Sequence, residues 1–166
     1  PENPCQLLKL HHIIEGAVAF NSQEEFIPST QRDRIFYCHQ DEVCTRICTS
    51  QFDVIGSDDA TTCIIMLIHC VSSKKIFLTH YSNQSSVART SDNVLDFIEK
   101  GAAVDKGIDF EIYLSGGIDE DSCLDCLFEI IQMFKAIETP NPDHRLILKL
   151  CNVATLNSRP AQDSGM

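Results

Sequence analysis

Two side chains of this 166-residue chain have the types and placement to act together as nucleophile and base: Cys63 and His80. Cys63 closes the run Ile55-Gly56-Ser57-Asp58-Asp59-Ala60-Thr61-Thr62-Cys63, and an apolar stretch, Ile64-Ile65-Met66-Leu67-Ile68, follows at once. That pattern predicts a tight polar loop feeding a buried strand, with the cysteine at the junction. His80 ends the next apolar run, Ile76 to His80, after the turn residues Ser72-Ser73-Lys74. If the two runs form a hairpin, the start of one lies beside the end of the other. A thiol and an imidazole so placed can form a thiolate–imidazolium pair, which attacks a carbonyl carbon and then protonates the leaving group. A third group must orient the ring, and a hydroxyl or carboxylate serves; Ser57, Asp58 and Asp59 stand near Cys63 in sequence. The same spacing also fits a plain core thiol and a surface histidine at a strand end.

The elements that would position these groups read as follows. Leu7, Leu10, Ile13, Ile14, Ala17 and Val18 recur at helical intervals over residues 6 to 20. His11 and His12 are adjacent and point to different sides, which argues against a shared metal. Residues 21 to 33 are polar, with Pro28, and read as a loop. Arg34 to Cys38 and Val43 to Cys48 are short strand candidates, and Gln51 to Ile55 leads into the polar loop. Tyr81 to Arg89 reads as loop, followed by a helix capped by Ser91 or Asp92 that carries Val94, Leu95, Phe97 and Ile98 and stops at Gly101. Ile108 to Leu114 alternates as a half-buried strand does. Asp119-Glu120-Asp121-Ser122 should start a second helix that buries Leu124, Leu127, Phe128, Ile131 and Phe134 and ends before Pro140. Arg145 to Val153 is a last strand, and His144, after two prolines, is expected at the surface. The order predicts an α+β (mixed α/β) fold with a sheet or sandwich core and flanking helices. The expected divisions are a helix and loop over 1–33, the main domain over 34–155 and a polar tail over 156–166.

Composition narrows the function. A net charge of −11 speaks against non-specific nucleic-acid binding, which needs a basic surface. No apolar run approaches the ~20 residues of a membrane helix. Nine cysteines without a secretory signal read as reduced thiols of an intracellular chain. Cys70, Cys126 and Cys151 lie in apolar runs, where free cysteine packs as a small hydrophobe; His69 beside Cys70 is expected to pack as well. Cys123-Leu124-Asp125-Cys126 has redox spacing but no second pair. Cys38, His39, Cys44 and Cys48 match no paired zinc pattern.

The run Gly56-Ser57-Asp58-Asp59-Ala60-Thr61-Thr62-Cys63 before an apolar strand resembles the eukaryotic protein N-terminal asparagine amidohydrolases. Leu78-Thr79-His80, Phe110-Glu111-Ile112-Tyr113-Leu114-Ser115-Gly116-Gly117 and Leu148-Lys149-Leu150-Cys151 agree in order, and the likeness covers roughly residues 34 to 155. Family members are longer, so the chain resembles an N-terminal portion. The resemblance implies hydrolysis of the side-chain amide of N-terminal asparagine to aspartate and ammonia through a cysteine thioester, upstream of N-degron, ubiquitin-dependent degradation in the cytoplasm or nucleus. It implies Cys63 as nucleophile, His80 as acid and base and, by a more distant likeness to bacterial chemotaxis-receptor deamidases, Ser57 as orienting hydroxyl. Backbone N–H groups near Thr62 and Cys63 would face an oxyanion. Asp58 or Asp59 would pair with the substrate's α-ammonium, or cap their own loop. No cofactor or metal is expected; the expected partners are proteins or peptides with a free N-terminal asparagine, met by a monomer. Two other readings stay open: a non-catalytic recognition module for such N-termini, and a zinc-binding or redox cysteine domain.

Overall fold

A computed structural model describes residues 4–21, 35–47, 54–102, 107–118, 120–137 and 144–156. Two short N-terminal helices, α1 (Pro4–Leu7) and α2 (His11–Asn21), precede strands β1 (Ile35–Tyr37), β2 (Val43–Ile47) and β3 (Val54–Gly56). Then come β4 (Ile64–Cys70), β5 (Lys75–Tyr81), helix α3 (Gln84–Ala102), β6 (Asp109–Gly116), α4 (Asp121–Ala136) and β7 (Arg145–Val153). Five strands form one mixed sheet in the order β2-β5-β4-β6-β7, and β1 and β3 pair as a separate parallel ribbon. The fold is α+β, with helices flanking one sheet. The β6–β7 pair is the parallel one in the main sheet, and α4 is the crossover that a parallel connection requires.

Alternation along β4 sets the two faces. Ile64, Met66, Ile68 and Cys70 are buried on one side, while Ile65, Leu67 and His69 on the other are partly open. The buried side joins Phe77 and Tyr81 of β5 and Phe110, Ile112 and Leu114 of β6 into a core. Phe97 of α3 bridges Phe77 and Phe110, with ring centroids 5.5 and 6.4 Å away. Cys70, Cys126 and Cys151 belong to this core, as their apolar neighbours in sequence predict. His69 does not pack there: its parity turns it to the open side, where Nδ1 lies 3.3 Å from Glu111.

Three expectations about the helices are corrected. The first helix breaks between Leu7 and His11, where Lys9 and Leu10 donate to the carbonyls of Gln6 and Leu7 in tight turn bonds. Ile13 and Ala17 are buried, whereas Leu10, Ile14 and Val18 are exposed. Second, α3 starts at Gln84, well before Ser91. Asn83 and Ser86 explain it: Ser86 N–H donates to Asn83 Oδ1 (3.1 Å), and Asn83 N–H donates to Ser86 Oγ (3.2 Å). This is a capping box with serine in the place where glutamate is usual. Inside that first stretch Thr90 satisfies its hydroxyl with Ser86 O (3.1 Å) and reaches Tyr81 OH at the same distance. Third, α4 buries Cys123, Cys126, Leu127 and Ile130, while Phe128 is exposed. Cysteines occupy two of the core positions, which rotates the buried stripe relative to one drawn through the large apolar residues.

His144 is buried as well, against expectation, because its Nδ1 accepts the Ile108 N–H at 3.0 Å where β6 and β7 begin. The expected loop over 22–33, Arg34, Cys48, the lead-in from Gln51 to Asp53 and the polar tail after Leu156 lie outside the described residues. Among the described residues no helix is long and apolar enough to cross a membrane. The cap leads to an expected outcome: Asn83→Ala lowers stability by about 1 kcal/mol, seen as an earlier thermal midpoint, while Ser91→Ala leaves it unchanged.

Candidate active site

The polar loop 57–63 runs from β3 into β4, and β4 is bonded to β5 on one side and β6 on the other. Ile65 is the register partner of His80 and Ile64 that of Tyr81. Cys63, one residue before Ile64, therefore stands a diagonal step from His80 across the ladder, about 7–8 Å between backbones. His80 is 3% exposed and Cys63 is 7% exposed. A surface position for His80 is excluded. Among the described residues no hydrogen bond joins the two, and Thr62 Oγ1, 4.0 Å away, is the polar neighbour of the sulfur.

The imidazole is fixed from behind. Ser57 Oγ lies 2.8 Å from His80 Nδ1 and 2.6 Å from the Cys38 carbonyl. A carbonyl accepts only, so the one hydroxyl proton of Ser57 goes to Cys38 O. Ser57 Oγ must then accept, and the proton sits on Nδ1. That assignment leaves a lone pair on Nε2, which is buried and has no hydrogen-bond partner among the described residues. Burial depresses the His80 pKa below its ordinary 6.5, while Asp41, Asp58 and Asp59 pull it back up. The ring is thus neutral at pH 7 with its basic nitrogen presented.

The opposite wall is made of backbone. Gly117 N–H donates to Ala60 O at 2.8 Å. Gly116 and Gly117 have φ of +110° and +72°. A side-chain carbon at Gly116 would stand 2.6 Å from Cys63 O and 2.7 Å from Ala60 Cβ, and one at Gly117 would overlap Cys123 Sγ. Only glycine allows this strand end to touch the loop so closely.

The remaining candidates are distributed unevenly. Asp58 is exposed and accepts a hydrogen bond from the Tyr37 hydroxyl. Asp59, also exposed, has φ +54°, and its carbonyl accepts the Thr61 N–H at 2.8 Å. Thr62 is exposed beside Cys63. Sequence reasoning missed the Cys38 carbonyl, Tyr37 and Asp41. Asp41 could have been found as part of the polar turn His39-Gln40-Asp41-Glu42 between two strands; the Cys38 carbonyl carries no signal in side-chain type. Cys38 itself is a buried thiol pushed up to about 12 by burial and by Cys44. Among the described residues no three His, Cys, Asp or Glu side chains converge as a metal-holding group.

The site thus sets a cysteine at the start of β4 a diagonal step from a histidine oriented by a serine, and comparison with known families puts the chain among the amidohydrolases. The family model that matches is described as protein N-terminal asparagine amidohydrolase, over residues 27–165. The chain belongs to that family. A search of curated proteins gives no match.

Two outcomes are expected from this geometry. Gly116→Ala should cost about 1–3 kcal/mol through overpacking, read by denaturant unfolding, and displace the Cys63 loop. The depressed His80 pKa means that the unfolded chain takes up a proton first as pH falls. Its effect on stability is absent above pH 6.5 and grows as destabilisation below that value, down to the folded pKa. Thermal midpoints recorded from pH 7.5 to 5.5 should therefore fall more steeply for the native chain than for His80→Gln.

Proposed function

We propose that the chain hydrolyses the side-chain amide of an N-terminal asparagine, with Cys63 as nucleophile, His80 as base and acid, and Ser57 as the hydroxyl that orients the ring. The observation that carries this reading is the buried Nε2 of His80, which has no hydrogen-bond partner among the described residues, on a ring that Ser57 holds through Nδ1. A buried imidazole nitrogen without a partner is costly unless it serves a task. Family membership supplies the substrate class.

Nε2 takes the Cys63 thiol proton as the sulfur attacks the amide carbon. The tetrahedral intermediate collapses, the C–N bond breaks, and His80 returns the proton to the departing nitrogen, so ammonia leaves and a thioester remains. Water then loses a proton to Nε2 and attacks the thioester; aspartate is released and the thiol is restored. Asp58, gripped by Tyr37 and open to solvent, is the better placed of the two acids to receive the α-ammonium of the substrate. Asp59 and Thr62 then line the mouth. In this reading the acidic surroundings of His80 select a free, cationic N-terminus. The product, a protein with N-terminal aspartate, enters arginylation and ubiquitin-dependent degradation, and the monomeric enzyme works in the cytoplasm, with the nucleus as a second compartment.

The test is mass spectrometry of a short peptide beginning with asparagine, incubated with the chain. Conversion of amide to acid is expected for the free peptide, and none for the N-acetylated peptide or with Cys63→Ala. A peptide beginning with glutamine should turn over at least on the order of a hundredfold more slowly, because one more methylene moves the amide carbon out of line. Binding of the asparagine peptide without conversion would instead favour a recognition module.

A further inference from the structure

We propose that Asp41 is a positioning residue for His80, holding the stretch His80-Tyr81-Ser82 so that the imidazole keeps its place beside Cys63. The inference rests on reading His80 as the base. It starts from a mismatch between residue and backbone. Glu42 N–H donates to His39 O at 3.1 Å, closing a four-residue turn, and Asp41 occupies the third position with φ +62°. Glycine or asparagine is usual there, and an aspartate carries strain. The turn alone has no need of a carboxylate.

The carboxylate is used on the neighbouring strand. Asp41 N–H donates to His80 O at 2.7 Å. Asp41 Oδ1 accepts both the Ser82 N–H (3.2 Å) and the Ser82 hydroxyl (2.7 Å). Oδ2 lies 3.7 Å from Arg89 of α3. Residues 80 and 82 are thereby gripped on both sides of Tyr81. The place of this grip matters. The β2–β5 ladder ends at Val43 and Thr79, so from His80 onward β2 no longer supports the strand. Asp41 continues that support past the end of the ladder, on the side of β5 away from β4. Ser57 fixes the ring of His80, and Asp41 fixes the backbone from which the ring projects.

Charge adds a signature. The charged groups facing His80 are Asp41 from the turn and Asp58 and Asp59 from the loop, with Cys63 as the titratable neighbour at the start of β4 and Arg89 behind Asp41. Glu42, the other acid of the turn, is spent on the His39 N–H. Asp41 opposes its own burial with the Ser82 bonds and Arg89, which hold its carboxyl below the usual range. It is therefore ionised when His80 titrates.

The test combines imidazole NMR titration of His80 with kcat, KM and thermal midpoints in Asp41→Asn and Asp41→Gly. Asparagine suits the left-handed turn and still accepts from Ser82. It should keep the native thermal midpoint and the Nδ1-protonated tautomer, but move the His80 midpoint to lower pH. Glycine relieves the turn and removes the grip. It should keep or raise the thermal midpoint, weaken the tautomer preference, and lower kcat by on the order of ten- to a hundredfold with KM little changed; asparagine should recover most of that kcat. A glycine variant with native tautomer, midpoint and kcat overturns the proposal, as does a loss of kcat that merely follows a lowered thermal midpoint. If the native chain shows no amidase activity, the reading of His80 fails on that arm, and the NMR arm still decides whether Asp41 positions the ring.

Discussion

Strand β4 is bonded on both edges, and everything at the site depends on that. An edge strand could shift its register or fray at its first residue. β4 can do neither, because β5 fixes its start against His80 and Tyr81 while β6 fixes it against Gly116. Cys63 inherits its position from two ladders at once. The loop before it is free to carry polar groups because the strand after it is not free to move. Alternation then divides the two faces: neighbours such as His80 and Tyr81 face opposite sides, one toward the candidate site and the other into the core.

The polarity of the site follows from one proton. The Cys38 carbonyl claims the Ser57 hydroxyl, Ser57 claims Nδ1–H, and the imidazole is left with a single basic nitrogen. Each link is a modest hydrogen bond, worth about 1 kcal/mol net. Their joint effect is to select one tautomer of the ring. Burial keeps the ring neutral, and the surrounding carboxylates limit how far its pKa falls.

Much of this was legible in the sequence because strand periodicity is strong wherever one face is buried. The hairpin of β4 and β5, the alternation of β6 and the β7 run all follow from apolar spacing, and they alone suffice to bring Cys63 near His80. The start of α3 was hidden because Ser86 does the capping work of a glutamate and Thr90 absorbs its own hydroxyl. The buried stripe of α4 was hidden because it runs through Cys123 and Cys126 as well as Leu127 and Ile130, rather than through the largest apolar residues. His144 reads as a surface residue after two prolines, and it is buried and pinned by one backbone donor. At the site, Ser57 could be ranked as a candidate, but its partner is a main-chain carbonyl from another strand, which side-chain types cannot reveal. Asp41 is joined to His80 through backbone as well, and spacing along the chain does not record such contacts.

The surplus of cysteines has a consequence for how the site responds to injury. Burial raises Cys38, Cys126 and Cys151 to about 12, so these thiols stay protonated and compete with nothing at neutral pH. Cys123 is different in kind, since its sulfur fills the space where a side chain at position 117 would begin. Oxygen atoms or an alkyl group added to that sulfur would press on Gly117 and, through its bond to Ala60, on the loop that carries Cys63. Damage to an interior sulfur would then shift the backbone around a different one.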